Sequence, residues 1–515
     1  MNKIIIYLLA AAFFNVLAWI IIVPIWQYPD EQAHFAQVQD IAELGYRPTD
    51  GFDTSYEIAL SEKILDTERD AFGNNKFTYH PEYKLPYTKG LVGSQEISIQ
   101  DLPKSSRREL VKREATNNPP LYYILGSLPY KLTYESDLFT RVYAIRLLSA
   151  FFFIMLILTT FQIAKELFGK NSLLAISLAS LIAFKPMLIF ASSGVLPDSL
   201  TNLLFAAVLL ICINVAKYGL TAHNVLFFIG VLALGFLTRQ QFLISVPIFA
   251  YAILIHLVKD KKFKELIFLA GFLVAAFIAI NYSAGAIPEI ATVNYSLLFE
   301  KAFSDYFIWT IKHSIAETLP WYWGVYKWLS LTIPAINYQV INRLILLSLI
   351  GIAIRLALII KNRKFEQADL LLSFLIGSSL IYFFIFAIGD YFFNRLYGYS
   401  FGIQGRYFFP LVVAHLAILL LGLWQISEIV FKKYSLFAVL ILVFLMILFN
   451  DISLSYVAAS YYDVSSLRTF VEHASQYKPD LLKGAAIYSA LFLNIILQAI
   501  YLFTLFRYIQ RETKV

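Results

Sequence analysis

The chain has 515 residues, of which 59% are hydrophobic and 15% charged, with a mean hydropathy of +0.66 and a formal net charge of +7. Soluble proteins carry roughly 25% charged residues, so this composition excludes a soluble globular enzyme and points to an integral membrane protein. The single cysteine, Cys212, lies in an apolar run, which excludes a disulfide framework and a thiolate metal site; the positive surplus fits basic cytoplasmic loops better than a nucleic-acid binder.

The first predicted element is NKIIIYLLAAAFFNVLAWIIIVPI, uncharged after Lys3 and long enough to cross a bilayer as a helix. It is too long for a signal-peptide core and no small-x-small cleavage pattern follows it, so a retained span over about 4–25 is expected. Further apolar runs predict spans near 142–164, 172–190, 195–216, 222–238, 241–258, 266–282, 340–360, 369–389, 406–427, 434–450 and 485–507. The expectation is an all-α polytopic membrane protein of about twelve transmembrane helices, since an open sheet edge cannot be satisfied in hydrocarbon.

The Lys/Arg clusters KDKKFK (259–264), KNRK (361–364), Lys432–Lys433 and the tail RYIQRETKV fall on one side if the N-terminus is cytoplasmic. The long connections 26–141, 283–339 and 451–484 then lie outside, with both termini inside a multi-pass cell-membrane protein. The first long connection has aromatics and helical patterning in SYEIALSEKIL and RRELVKREA, so it is expected to be folded. No internal repeat or inverted pair of broken spans is present, which argues against a secondary transporter.

The chemistry concentrates in short motifs, beginning with WQYPDEQAHF (26–35) directly after the first span. Asp30 and Glu31 after Pro29 suit a first helical turn by dipole and capping alone. Their spacing also places Asp30 and Glu31 on one helical face with His34, where a carboxylate could accept a proton from a hydroxyl. Glu31 and His34 could equally ligate a divalent cation. NNPPLYY (117–123), KPMLIFASSGVLPDSL (185–200), LTRQQF (237–242), LPWYWGVYKW (319–328) and QGRYFFP (404–410) follow. Arg406, at the mouth of an apolar span, suits a phosphate because its planar fork stays protonated and matches phosphate oxygens; its plain alternative is a snorkelling side chain. Arg239, alone between two apolar spans, is the second cation candidate, and Lys185 the third, with capping of the third span as its alternative. Asp198 reads either as a site acid or as a capping carboxylate after Pro197. Trp321 and Trp323 are placed at a site and Trp328 in an interfacial belt.

In their order along the chain, PDEQAHF, Asn-Pro-Pro-Leu-Tyr-Tyr, the Arg-Leu-Leu at 146–148 and QGRYFFP resemble the GT-C superfamily, which includes dolichyl-phosphate-mannose protein mannosyltransferases and bacterial aminoarabinose transferases. Within it the pairing of PDEQAHF with QGRYFFP looks most like the domain-of-unknown-function 2142 family. The resemblance implies an inverting glycosyltransferase that moves a sugar from a polyprenyl-phosphate donor to a glycan, lipid or protein acceptor at the outer face, with metal dependence open. It implies Asp30 as catalytic base and sets Asp198 near a recurring acid; the chemistry of the residues themselves makes Glu31 the alternative base, puts Arg406, Arg239 and Lys185 at the donor phosphate, and leaves His34, Asn118, Tyr122, Asp198, Trp321, Trp323, Gln404 and Tyr407 as substrate-binding candidates. Residues 1–427 would form the catalytic transmembrane region and 428–515 the C-terminal helices. The alternatives are a lipid or polysaccharide transporter and an O-antigen polymerase or ligase, the latter tending to carry its large loop late.

The charge pattern makes one topological prediction. A cysteine introduced as Asp70→Cys should label from outside intact cells and one introduced as Lys261→Cys should not; the reverse result overturns the orientation.

Overall fold

The computed structural model describes residues 2–46, 52–70, 73–112, 118–169, 171–262, 271 and 295–512. These residues are almost entirely helical, and the all-α polytopic class is as expected. Nine of the described helices are long and apolar enough to cross a membrane, or ten when a bent pair counts as one span. The expected span at 222–238 is a shorter helix, Ala222–Phe236, and that at 266–282 lies outside the described residues.

Helix α1 (Asn2–Ile22) is central. It packs against α6 (Leu138–Phe168), the pair α7 (Ser172–Ala183) and α8 (Pro186–Ser193), and the C-terminal α19 (Ala485–Glu512). The bend of 56° between α7 and α8 falls at Lys185–Pro186, because a proline is tolerated at a helix start and not in its interior. After α8 the chain turns through Gly194–Pro197 into α9 (Asp198–Tyr218), followed by α10 (Ala222–Phe236) and α11 (Ser245–Lys259). The second half carries α12 (Lys301–His313), the short α13 (Leu319–Trp323), α14 (Ala335–Asn362), α15 (Gln367–Tyr397), α16 (Val412–Phe431), α17 (Ser435–Tyr461) and α18 (Leu467–Ala474).

The long first connection is folded, as its patterning suggested. It contains α2 (Glu31–Leu44), α3 (Tyr56–Ile64), α4 (Lys89–Gln100) and α5 (Leu121–Leu132). The helical reading of RRELVKREA is corrected over Leu110–Lys112, which form β2 antiparallel to β1 (Phe52–Ser55). A backbone partner across the loop outcompetes a marginal isolated helix there. The core of this region includes Trp26, Phe35, Val38, Tyr123, Tyr130 and Leu138, with α2 packed on α5 and α5 on α6.

The long connections meet at one end of the bundle. Tyr477 N–H donates to Glu96 Oε1 (2.5 Å), Lys84 Nζ to the Tyr462 carbonyl (3.3 Å), and Lys327 Nζ to the carbonyls of Pro81 and Ser460 (both 2.9 Å). Lys327, Trp328 and Leu329 link β3 (Val325–Tyr326) to β4 (Leu331–Thr332), and all three have left-handed φ values of 50, 51 and 63°.

Helices α14 and α16 approach at backbone distance. A Cβ on Gly351 would sit 1.9 Å from the Gly422 carbonyl oxygen, and one on Gly422 would sit 2.2 Å from that of Ser348. Small residues let membrane helices gain dispersion and weak polar contacts where no hydrophobic drive exists. Gly351→Leu or Gly422→Leu is therefore expected to destabilise the protein by about 3 kcal/mol or more, since the neighbour is rigid backbone; thermal unfolding of the purified protein in detergent checks this.

Candidate active site

The site begins where the chain leaves α1 and turns into α2. Glu31 and Arg146 are both fully buried and form a forked ion pair, with Nε on Oε1 at 2.8 Å and Nη2 on Oε2 at 2.6 Å. The remaining Arg146 N–H groups donate to the carbonyls of Ile20 (3.2 Å), Val23 (2.9 Å) and Pro24 (2.9 Å). Glu31 also accepts from the backbone N–H groups of Trp26 (3.0 Å) and Val195 (3.1 Å). The rings of Tyr28 and Tyr143 each lie 4.7 Å from the guanidinium. Glu31 thus has both oxygens engaged and belongs to the scaffold, which corrects its reading as alternative base or cation ligand.

Asp30 takes the opposite course. It precedes α2 with φ 58°, and its side chain makes no capping hydrogen bond, so it does not serve as the helix-starting carboxylate. Its Oδ1 accepts from Arg69 Nη1 at 2.7 Å and its Oδ2 from Arg406 Nη2 at 3.2 Å. A non-glycine residue held left-handed costs on the order of 1–3 kcal/mol and persists where the surroundings over-determine it. Burial pushes the Asp30 pKa up, but the Arg406 and Arg69 guanidiniums outweigh it and hold it at about 2. The carboxylate is ionised throughout the neutral range; the stability it contributes is present above 3.8 and lost as the pH falls through about 2.

Arg406 is buried in the turn Gly405–Leu411 that opens the α16 span. Gly405 is required there because a Cβ would lie 2.1 Å from the Tyr322 amide nitrogen. Arg406 Nε donates to Gln404 Oε1 (2.9 Å), and the Tyr407 ring stands 5.6 Å from the guanidinium. Nη1 of Arg406 lies 3.8 Å from Asp198 Oδ2, while Asp198 Oδ1 pairs with Arg239 Nη2 at 2.7 Å. Asp198 is the first residue of α9 and does not cap it. Arg239 Nε, Arg406 Nη1 and Asp198 Oδ2 are buried without a hydrogen-bond partner. Among the described residues three guanidiniums (Arg69, Arg239, Arg406) are gathered around two carboxylates (Asp30, Asp198).

His34 borders the same cluster. Its Nδ1 shares a hydrogen bond with Tyr123 Oη at 2.8 Å, and the two rings stack. Burial drives its pKa down to about 3, against the opposing pull of Asp30, so the imidazole is neutral at physiological pH. Glu31 and His34 turn to different partners, and among the described residues no three His, Cys, Asp or Glu side chains gather to hold a metal ion.

Several predicted site residues lie elsewhere. Lys185 is fully enclosed, its Nζ 2.6 Å from the Tyr322 carbonyl and 3.9 and 4.1 Å from the Tyr322 and Trp323 ring centres, so it cannot meet a phosphate at the Asp30 cluster. Tyr122 is fully buried, its hydroxyl bonded to Ser149 Oγ at 2.8 Å; its neighbour Tyr123 is the one that reaches His34. Asn118 lies half-buried just before α5. Among the tryptophans, Trp323 packs on Lys185 and lines the cavity beside the Arg406 turn, half-buried Trp321 backs Gly405, and Trp328, expected in the interfacial belt, instead faces Arg69 at 5.7 Å and donates to the Trp26 carbonyl at 3.1 Å. Sequence reasoning missed Arg69, one charge among many in a polar stretch, and passed over Arg146, whose isolation in an apolar span was a usable signal.

Beside the Arg406 turn lies an apolar cavity of about 340 Å³, lined by Thr318, Tyr322, Trp323, Phe383, Phe408 and His415 among others. The Tyr322 hydroxyl meets His415 Nδ1 at 3.1 Å on its wall.

The family model described as a predicted membrane protein (DUF2142) matches residues 13–415. No curated protein matches the chain. Among solved structures, the apo crystal structure of the Archaeoglobus fulgidus oligosaccharyltransferase aligns with TM-score 0.46 and 12% identity, over 89% of this chain and 56% of that one. The archaeal oligosaccharyltransferase AglB from the same organism, in complex with an inhibitory peptide and a dolichol-phosphate, aligns with TM-score 0.45 and 12% identity, over 90% and 57%. The chain therefore spans a little over half the length of these structures.

The buried ion pair makes a stability prediction. Arg146→Met strands the Glu31 charge in the interior and should cost roughly 3–5 kcal/mol. Arg146→Met combined with Glu31→Gln should recover part of that loss in thermal melts, whereas equal loss in both would show that the pair is not what holds the turn.

Proposed function

The chain belongs to the DUF2142 family of predicted membrane proteins, and from that premise we propose that it is an inverting membrane glycosyltransferase of the GT-C type using a polyprenyl-phosphate sugar. One observation carries the reading: a carboxylate without a capping role faces buried Arg406, which retains an Nη1 without a hydrogen-bond partner, next to an apolar cavity. The unpartnered N–H groups of Arg406 and Arg239 suit an anionic phosphate, and the cavity suits hydrocarbon attached to it.

In the proposed reaction the acceptor hydroxyl gives its proton to Asp30, and its oxygen attacks the anomeric carbon. The bond from that carbon to the phosphate oxygen breaks, and the electron pair leaves with the phosphate. The acceptor enters opposite the leaving group, which inverts the anomeric centre. Arg406 and Arg239 stabilise the departing phosphate through charge-assisted hydrogen bonds in a site of low polarisability. Neutral His34 orients the cluster, and Gln404 and Tyr407 hold Arg406. The positive-inside reading of the basic loops supports an extracytoplasmic site, with residues 1–427 proposed as the catalytic region.

The test is sugar transfer in proteoliposomes from a panel of polyprenyl-phosphate-linked sugars. Asp30→Asn keeps the shape and should lower turnover by about 100-fold or more; near-normal turnover would remove Asp30 as base. Arg406→Lys keeps charge but loses the fork and should be impaired, with Arg406→Ala worse. Full activity in Arg406→Lys would return that residue to a snorkelling role.

A further inference from the structure

In the arrangement observed each Asp30 oxygen accepts from a guanidinium, and the two contacts hold the carboxylate ionised and weakly basic. The two arginines differ in how firmly they are held. Arg69 makes the shorter contact, 2.7 Å against 3.2 Å, and its guanidinium lies over the Trp328 ring. Trp328 is itself tied to the Trp26 carbonyl and carried on the left-handed turn Lys327–Leu329, anchored through Lys327 to two separate segments. Arg406 is stretched between two carboxylates, 3.2 Å from Asp30 and 3.8 Å from Asp198, and keeps a buried Nη1 without a hydrogen-bond partner.

From this asymmetry we propose that Arg69 is the positioning residue of Asp30. It stays on Oδ1 while the Nη2 contact of Arg406, whose Nε remains on Gln404, passes from Oδ2 to the donor's phosphate, so Asp30 gains basicity when donor binds. The proposal rests on the phosphate reading of Arg406 above and adds an order to it: donor first, acceptor second. Donor binding exchanges one carboxylate contact for a phosphate contact at Arg406, so no charge is stranded. Arg69 keeps Asp30 ionised and aimed during that exchange, when the incoming phosphate would otherwise favour its protonation. The other charged or titratable groups facing Asp30 are His34 on its own helix and, beyond Arg406, the Asp198–Arg239 pair.

The experiment is calorimetric binding of an isoprenyl methyl phosphate to the full chain in nanodiscs near pH 6, repeated in buffers of different ionisation enthalpy to count protons taken up. This phosphodiester carries one charge and no titrating proton, so uptake reports on the protein. Wild type is expected to bind with little proton uptake. Arg406→Gln should lose about tenfold or more in affinity; binding like wild type there would sink the phosphate reading itself. Arg69→Gln should lose less affinity and take up at least about half a proton per probe, because Asp30 is then left beside an anion with no cation. Asp30→Asn added to Arg69→Gln should abolish the uptake, and Arg69→Lys should suppress it. Trp328→Leu, which loosens Arg69 without touching Asp30, should show intermediate uptake and serves if Arg69→Gln does not fold. Equal uptake in wild type and Arg69→Gln, or none in the variant, overturns the proposal. So does an affinity loss in Arg69→Gln as large as in Arg406→Gln, which would make Arg69 a phosphate ligand.

Discussion

The fork between Glu31 and Arg146 is the contact on which the site depends. It joins α2 to α6, and through the same two side chains it fixes the end of α1 and the turn before α9. Desolvating such a pair is costly, and the cost is offset only when every remaining donor and acceptor is filled. Here the guanidinium spends itself on the carboxylate and three carbonyls, and the carboxylate takes two further backbone N–H groups. Because Glu31 is drawn inward, the residue before it is forced into left-handed backbone with its side chain turned the other way. The adjacent acids of one dipeptide thereby acquire separate roles.

The second constraint is charge. Asp30, Asp198, Arg69, Arg239 and Arg406 come from five distant parts of the chain, and each acid holds at least two arginines near it. Arginine suits this shared arrangement because one planar fork can meet two acceptors. Lys185 shows the contrast. As a compact ammonium with no carboxylate in reach, it is accommodated by a carbonyl and aromatic faces, and its role is to brace the α7–α8 bend against α13.

The described parts of the long connections are tied to one another beside this cluster. Buried Lys327 and the strained turn that follows it place Trp328 over Arg69, while Lys84 and Glu96 tie the first connection to the last. Three consecutive left-handed residues would each cost roughly 1–2 kcal/mol in an isolated chain, so the contacts around them must compensate. A turn held in this way is stiff, which suits a residue that orients another.

Much of the fold was legible in the sequence because bilayer spans are written in composition. Runs of apolar residues about 20 long have one solution in hydrocarbon, and ten of the predicted spans recur as described long helices or a bent pair. Asp198, Arg239 and Arg406 stood out as charges at the mouths of apolar spans, where solvation is poor, and Asp30 as one of a paired Asp-Glu directly after the first span. What the sequence could not decide was which of two adjacent acids faces the cleft, since that follows from Arg146 reaching α2 from a helix more than a hundred residues later. Nor could it separate Trp328 from Trp323, or find Arg69 in a stretch where charges are ordinary. The pairing of Leu110–Lys112 as a strand was equally out of reach, because its partner lies in a distant part of the loop. Local pattern records what each segment needs from its solvent; which charge meets which is set by long-range packing, and only the tertiary structure decides it.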